Sequence, residues 1–486
     1  AEEGMSRNAC YTEINVTKNY APVAQATVQV TDTLGNKVEG AEVKFMIYNE
    51  AEFYPVAKKI SNSEGIVTLE AGLGDLVVWA KYGDRFGVNK CHVAEGDTTR
   101  LCLNITEAGG FDLDLEIVPP VENNTLPEVT DEQRQENNRR LACEDSIRSA
   151  YESTFDTSTR WLKAALGNHK VIKTFIEETG DSDLLWTLSR KDLHDVTAEV
   201  LNDHHANVPQ KAEYLSDQLF NRFVRSPRIA NERLSPFRQY FLNEIGETVM
   251  ADWRNEPQNL VKFLRDSIAI DTVWNPQSLR MQPIGSWKNR RTDATSRDIL
   301  FVALARTSGL AARIDYVTGK VQYMNPQCEW QDVTFNPSTA DSLKPQTPKG
   351  ILKATYNPQP WMENPEYYNH FTLSIIKDGM PKLLNYGGTY KSLLENGLEV
   401  DAGTYALVSG TRLASGSVLA HATIVKVAEG DTATIGLVMR QPSNEPKVIG
   451  SFNSNNLVGK TGRGQFAVCI VQPNHEPTNH ILRDIS

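Results

Sequence analysis

The stretch of residues 287–319 constrains the fold of this chain more than any other. Its sequence, WKNRRTDATSRDILFVALARTSGLAARIDYVTG, predicts an amphipathic helix with a defined start and end. Thr295 is placed to cap the N-terminus, with Asp298 three residues later in the capping-box position. The apolar face is supplied by Ile299, Leu300, Val302, Ala303 and Leu304. Gly309 suits the left-handed position after the helix, and a strand at 312–319 is predicted to follow.

This stretch resembles the core of the transglutaminase-like superfamily, whose pattern is G-x-C, a buried helix, R-x-x-G-I-P-A-R, and a strand ending in Gly. The matching residues are Arg306, Gly309, Ala312, Arg313 and Gly319. The resemblance covers about residues 130–340 and implies a papain-like fold. In that fold a Cys begins the helix, a His lies on the next strand, and an Asp or Asn on the following strand orients the His.

At least two of the three catalytic positions that the resemblance implies carry unsuitable side chains. The nucleophile should lie twelve residues before Arg306, which is Ala294. Val321 occupies the His position, and the position of the orienting acid falls on Thr334 or Asn336. The resemblance therefore implies the fold without the chemistry, with Arg306 and Arg313 in structural roles.

A displaced nucleophile is the alternative that would keep an enzyme active. Ser296 stands near the predicted helix start, and Cys328 lies in a predicted turn between strands. A serine needs a strong base beside it to act as a nucleophile. We expect Ser296 to serve as a capping hydroxyl and Cys328 to lie away from the site.

The regions on either side predict β-structure, so the fold class is multidomain α+β. Residues 1–118 form a predicted β-sandwich, and V-x-D-x-x-G-x-x-V-x-G-A-x-V, from Val30 to Val43, is similar to transthyretin-like modules. Residues 130–340 hold a helical region with the transglutaminase-like core. A second β-sandwich is predicted at 350–445. Residues 446–486 are a C-terminal extension, which we expect to be either the start of a truncated domain or a segment that docks as a short terminal helix.

One short sequence occurs in both β-regions. The sequence VAEGDTT at 93–99 recurs as VAEGDTA at 427–433, each between apolar strands. The two β-regions are either related or alike only in the chemistry of one turn.

Aromatic residues before the last β-region offer a second type of site. Trp361, Tyr367 and Tyr368 would bind a peptide or a glycan if their rings were exposed. If buried, they would pack the interface between the core and the last β-region, which is the arrangement we expect.

Net charge, the length of apolar runs and residue spacing limit the kinds of molecule that this chain is expected to bind. A formal net charge of −11 argues against nucleic-acid binding. No apolar run is long enough to span a membrane, and no residue spacing predicts a metal or a cofactor. His194, His204 and His205 are expected to face solvent, and Cys91 and Cys102 are either bonded across a hairpin or free thiols.

The order of the predicted regions is a β-module, a helical transglutaminase-like core and a second β-module. This order resembles that of the long transglutaminase-like envelope proteins of Bacteroidetes. The resemblance implies a periplasmic, cell-surface or secreted protein. We expect a catalytically degenerate binding or scaffolding module. The alternatives are an active peptidase or amidase with a displaced nucleophile, and a glycan-binding protein.

Overall fold

The computed structural model describes residues 5–7, 12–121, 129–271, 275, 279–335, 347–359, 362–413 and 415–441. The predicted extension at 446–486 lies outside these ranges. Residues Ala1–Arg440 form one contiguous unit of mixed α and β structure. The N-terminal part is rich in strands, as the sequence predicts.

Strands dominate the chain up to residue 117. They are β1 Met5–Arg7, β2 Thr12–Ile14, β3 Val23–Thr31, β4 Glu42–Asn49, β5 Glu52–Ile60, β6 Ile66–Gly72, β7 Gly74–Tyr82, β8 Arg85–Val93, β9 Thr98–Cys102, β10 Ile105–Thr106 and β11 Asp112–Ile117. Among the described residues, β10-β8-β7-β4-β5 form one sheet and β6-β3-β9 a second. These two sheets, the first β-unit, enclose buried side chains that include Val28, Val43, Phe45 and Val78.

Helices fill the middle of the chain. They are α1 Asp131–Glu152, α2 Arg160–Ala165, α3 His169–Thr179, α4 Ser182–Trp186, α5 Arg190–Asp195, α6 Ala198–Ala206, α7 Asp217–Phe220, α8 Arg238–Ile245, α9 Glu247–Asn255, α10 Pro257–Ser267, α11 Pro283–Asn289 and α12 Ala294–Ser308. Short 3-10 turns lie at Thr17–Asn19 and Leu166–Asn168, and a π-helix at Asn221–Arg225. The sequence TDEQ at residues 130–133 predicts a capping box of Thr130 and Gln133, and the structure confirms it at the start of α1.

The rest of the described chain returns to strands. They are β12 Ala269–Ile270, β13 Arg291–Thr292, β14 Ala312–Ile314, β15 Val321–Met324, β16 Trp330–Asp332, β17 Lys349–Tyr356, β18 Phe371–Lys377, β19 Met380–Leu383, β20 Leu398–Asp401, β21 Gly403–Arg412, β22 Val418–Val427 and β23 Thr432–Leu437, with helix α13 at Tyr390–Leu393. Strands β14-β15-β16 form a small antiparallel sheet. The sheets β11-β22-β21-β18-β19 and β20-β17-β23 form the second β-unit.

The two β-units share one strand order. Strands β3 to β9 of the first correspond one by one to β17 to β23 of the second, including a parallel pair, β3 with β9 and β17 with β23. The repeated segments at 93–99 and 427–433 lie at equivalent turns, between β8 and β9 and between β22 and β23. The sequence repeat therefore coincides with a repeat of the architecture.

Strand β11 joins the second β-unit although it precedes the helices. Residues 112–117 pair antiparallel with residues 418–423 of β22. The sequence prediction assigned them to the first β-region, which was to end at residue 118. In the structure, the helical region is instead inserted between the edge strand of the second β-unit and the rest of that unit.

The β-units pack on each other through their five-stranded sheets. A buried cluster joins Trp79 and Phe86 of the first to Ala420 and Ala422 of the second. The Trp79 Nε1 atom donates a hydrogen bond to the Gly379 carbonyl at 2.8 Å. This interface holds the chain before the helical region against the chain after it.

The structure decides whether Cys91 and Cys102 are bonded, and it corrects the prediction about His204. Cys91 lies on β8 and Cys102 on β9, which belong to different sheets, and both are free thiols. His204 is fully buried, so the expectation that it faces solvent is wrong. None of the described helices combines the length and the apolar character that spanning a bilayer requires.

Candidate functional site

Helix α12 begins at Ala294, one residue before the predicted N-cap Thr295, and a different residue caps it. The N-cap is Asp293, whose carboxylate accepts hydrogen bonds from the backbone N–H groups of Thr295 at 3.0 Å and Ser296 at 3.1 Å. Thr295 lies inside the first turn, so the predicted capping box of Thr295 and Asp298 is wrong. Ala294, at the predicted position of the nucleophile, is the first residue of the helix and is exposed.

Ser296 is held in place by both of its hydrogen-bonding functions. Its hydroxyl donates to Asp293 Oδ2 at 2.5 Å and accepts from the Met281 N–H at 3.0 Å, and its side chain is fully buried. The hydroxyl links the helix start to the preceding segment. This arrangement suits a structural role rather than attack on a substrate.

Val321 opens strand β15 and packs into the core around α12. Its neighbour Lys320 is the nearest basic residue in the sequence. The Lys320 ammonium lies 2.6 Å from carboxylate oxygens of Asp332 and Asp401. Burial disfavours the charged form of Lys320, but these carboxylates outweigh it and raise its pKa, so Lys320 keeps its proton and is unsuited to act as a base.

The third catalytic position that the resemblance implies, Thr334 or Asn336, lies where the described range 279–335 ends. Asn336 lies outside the described residues, whereas Thr334 lies just after strand β16. The Val333 N–H bonds to the Val321 carbonyl at 2.8 Å, and the guanidinium of Arg297 stacks 3.8 Å from the ring of Phe335. The end of this strand pair therefore lies beside the first turn of α12.

Cys328 lies toward the C-terminal end of α12, away from the predicted catalytic positions. Strand β15 runs from Val321 to Met324, whose N–H bonds to the carbonyl of Ala311, just after the end of α12. Cys328 follows in the exposed turn beyond Met324, and its thiol donates to the Tyr214 carbonyl at 3.1 Å. A helix of 15 residues is about 22 Å long, so Cys328 is remote from Ala294.

Asp298 is the titratable group that stands out near the start of α12. It lies one helical turn beyond Ala294 and therefore on the same helix face. Burial raises the pKa of Asp298 to about 6, against the favourable charges of Arg297 and Lys382. Lys382 reaches over from β19, and its Nζ would be 2.9 Å from a Cβ at Gly319, whose φ of +65° suits glycine.

Sequence reasoning missed this pair of residues. Asp298 was assigned to a capping box, and Lys382 belongs to the second β-unit, whose contact with α12 has no local signal in the sequence. The helical spacing from Ala294 to Asp298 was the one signal available. Together they make the start of α12 a polar surface of mixed charge.

Replacing Asp298 by Asn is expected to stabilise the protein at pH 8 by about 1–3 kcal/mol, because the carboxylate is then charged and poorly solvated. The pKa is raised on folding, so the wild-type carboxyl favours the folded state below pH 4. That contribution is lost as the pH rises through about 6. Urea denaturation at pH 4 and pH 8 should show the gain only at pH 8, and Asp84→Asn, on an exposed turn, should show none.

The aromatic residues before the last strands are mostly committed to packing. Tyr367 is buried, and its hydroxyl bonds to the carbonyls of Leu373 and Leu384. Tyr368 is half-buried, and its hydroxyl donates to Asn385 Oδ1 at 3.0 Å. Both rings lie in the core of the second β-unit, while Trp361 lies outside the described residues.

The two arginines of the matching pattern differ in their surroundings. Arg306 is buried and donates to the carbonyls of Ala312, Ser226 and Arg228 at 2.7–3.0 Å. Arg313 is half-buried and lies 3.0 Å from Asp315. Arg306 thus ties the end of α12 to the following strand and to the segment before α8.

No family model matches the chain, and no curated protein does either. The function must therefore be inferred from the residues of the chain itself.

Proposed function

We propose that this chain is a transglutaminase-like protein that has lost acyl-transfer chemistry and serves as a binding or scaffolding module. The observation that carries the proposal is Ala294 as the first residue of α12, with the Asp293 carboxylate on the N–H groups of the first turn. In an active relative those groups and the helix dipole would favour a thiolate. A carboxylate that accepts hydrogen bonds from those N–H groups, as Asp293 does here, would instead raise the pKa of a neighbouring thiol.

The surroundings of α12 support a papain-like arrangement. The helix is buried along most of its length, and the antiparallel sheet β14-β15-β16 follows it in the chain. Val321 packs against the helix, and Phe335 stacks on Arg297 of its first turn. Gly309 ends the helix with a φ of +94°, as the matching pattern requires of a left-handed position.

The proposed binding surface lies at the exposed start of α12. Ala294 leaves the surface open, and Asp298 and Lys382 offer an acceptor and a donor beside it. A peptide or a glycan presents polar groups that such a pair can bond. The proposed location is the periplasm, the cell surface or the medium, which follows from the resemblance to envelope proteins.

Binding to peptide and glycan arrays tests this proposal. We expect the wild-type protein to bind members of one array, and Ala294→Trp, which covers the start of α12, to weaken that binding at least about tenfold. Ala142→Trp, at an exposed position on helix α1, is the matched control and should bind normally. Equal binding by both variants would contradict the assignment of the surface to α12.

A further inference from the structure

A small cavity lies in the interface between the two β-units. Its volume is about 100 Å³. Its apolar wall includes Met46, Trp79, Leu383, Ala406 and Val408. An apolar cavity of about 150 Å³ in another protein binds benzene, so this one has room for a chain of about four carbon atoms.

Polar residues complete the lining of the cavity. Lys44 lines it from β4, and the described residues form neither a hydrogen bond nor an ion pair with its ammonium. Ser374 also lines the cavity, from β18. Thr372, in contrast to Lys44, donates to the Ala51 carbonyl at 2.6 Å.

An anion would bind most favourably at the end of the cavity that Lys44 lines. Burial lowers the pKa of Lys44 and the charges of Lys58 and Lys81 lower it further, while the charge of Glu42 acts in the opposite direction. A carboxylate placed beside it would offset both effects. Glu52, the acid of the lining, pairs with Asn49, five positions along β4 from Lys44, and therefore lies toward the other end.

We propose that this cavity binds a short aliphatic monocarboxylate, with its hydrocarbon chain against Trp79 and Val408 and its carboxylate on Lys44. The apolar wall selects the chain, the volume limits its length, and the unpaired ammonium selects the charge. The site is separate from the start of α12 and does not depend on the loss of catalysis there. Because both β-units line it, a bound acid would also stabilise their interface.

Calorimetric titration with butyrate and with butylamine tests this site. We expect butyrate to bind and butylamine not to bind. Lys44→Met should weaken butyrate binding about tenfold, whereas Lys170→Met, at an exposed position on helix α3, should leave it unchanged. Absence of butyrate binding to the wild-type protein, or equal binding by the two lysine variants, would overturn the proposal.

A second variant addresses the cavity itself. Ala406→Leu should fill it and abolish butyrate binding, with circular dichroism used to establish that the variant is folded. If this variant is unfolded, the proposal is tested instead by transfer of magnetisation from Trp79 ring protons to bound butyrate. Unchanged affinity in folded Ala406→Leu, or no transfer from Trp79, would show that the acid binds elsewhere.

Discussion

Replacing Leu115 and Ile117 together by Asp is expected to detach strand β11 and to destabilise the protein by more than about 5 kcal/mol. Both side chains are buried among apolar residues in the interface between the β-units, where two carboxylates would be desolvated. A loss of this size is comparable with the whole stability of a typical domain. The second β-unit would then lose the edge strand that precedes the helical region.

Hydrogen exchange resolves this effect by position. The amides of residues 418–423, which face β11, should lose protection in the double variant. Glu116→Ala, at an exposed position on the same strand, should keep it. Retained protection in the double variant would mean that β11 contributes little to the second β-unit.

Replacing Arg306 by Met is expected to lower the free energy of unfolding by about 4 kcal/mol. The methionine fills much of the volume but leaves the carbonyls of Ala312, Ser226 and Arg228 buried without their donor. Burial lowers the pKa of Arg306 to about 10, so the guanidinium remains charged at neutral pH and its hydrogen bonds are charge-assisted.

Arg313→Met is the control for this prediction. Arg313 is half-buried, pairs with Asp315 and stacks 4.1 Å from the ring of Trp330, so its loss should amount to about 1 kcal/mol. Urea denaturation of both variants gives the comparison. A loss at Arg306 no larger than that at Arg313 would contradict the structural role assigned to Arg306.

Local features of the fold could be predicted because their causes are local. The end of α12 at Gly309 and the capping box at the start of α1 follow from the residues at those positions. The start of α12 was misplaced because Asp293 and Thr295 are both good capping residues, and only the hydrogen bonds distinguish them. The partner of β11 could not be predicted, since residues 112 and 423 have no sequence signal that joins them.

The same distinction applies to the site. The absence of suitable side chains at Ala294 and Val321 can be read from the sequence once the resemblance is accepted. The double hydrogen bond of Ser296 and the approach of Lys382 to Gly319 depend on tertiary contacts. These contacts decide which residues near the start of α12 are structural and which face solvent.

Turnover is the measurement that tests the central claim most directly. Incorporation of a fluorescent amine into a glutamine-rich protein and release from a panel of peptide amides should be assayed for the wild-type chain, Ser296→Ala and Cys328→Ala. The proposed loss of acyl-transfer chemistry predicts no turnover by any of these folded proteins. Turnover by the wild-type chain that disappears in either variant would contradict the claim and identify a displaced nucleophile.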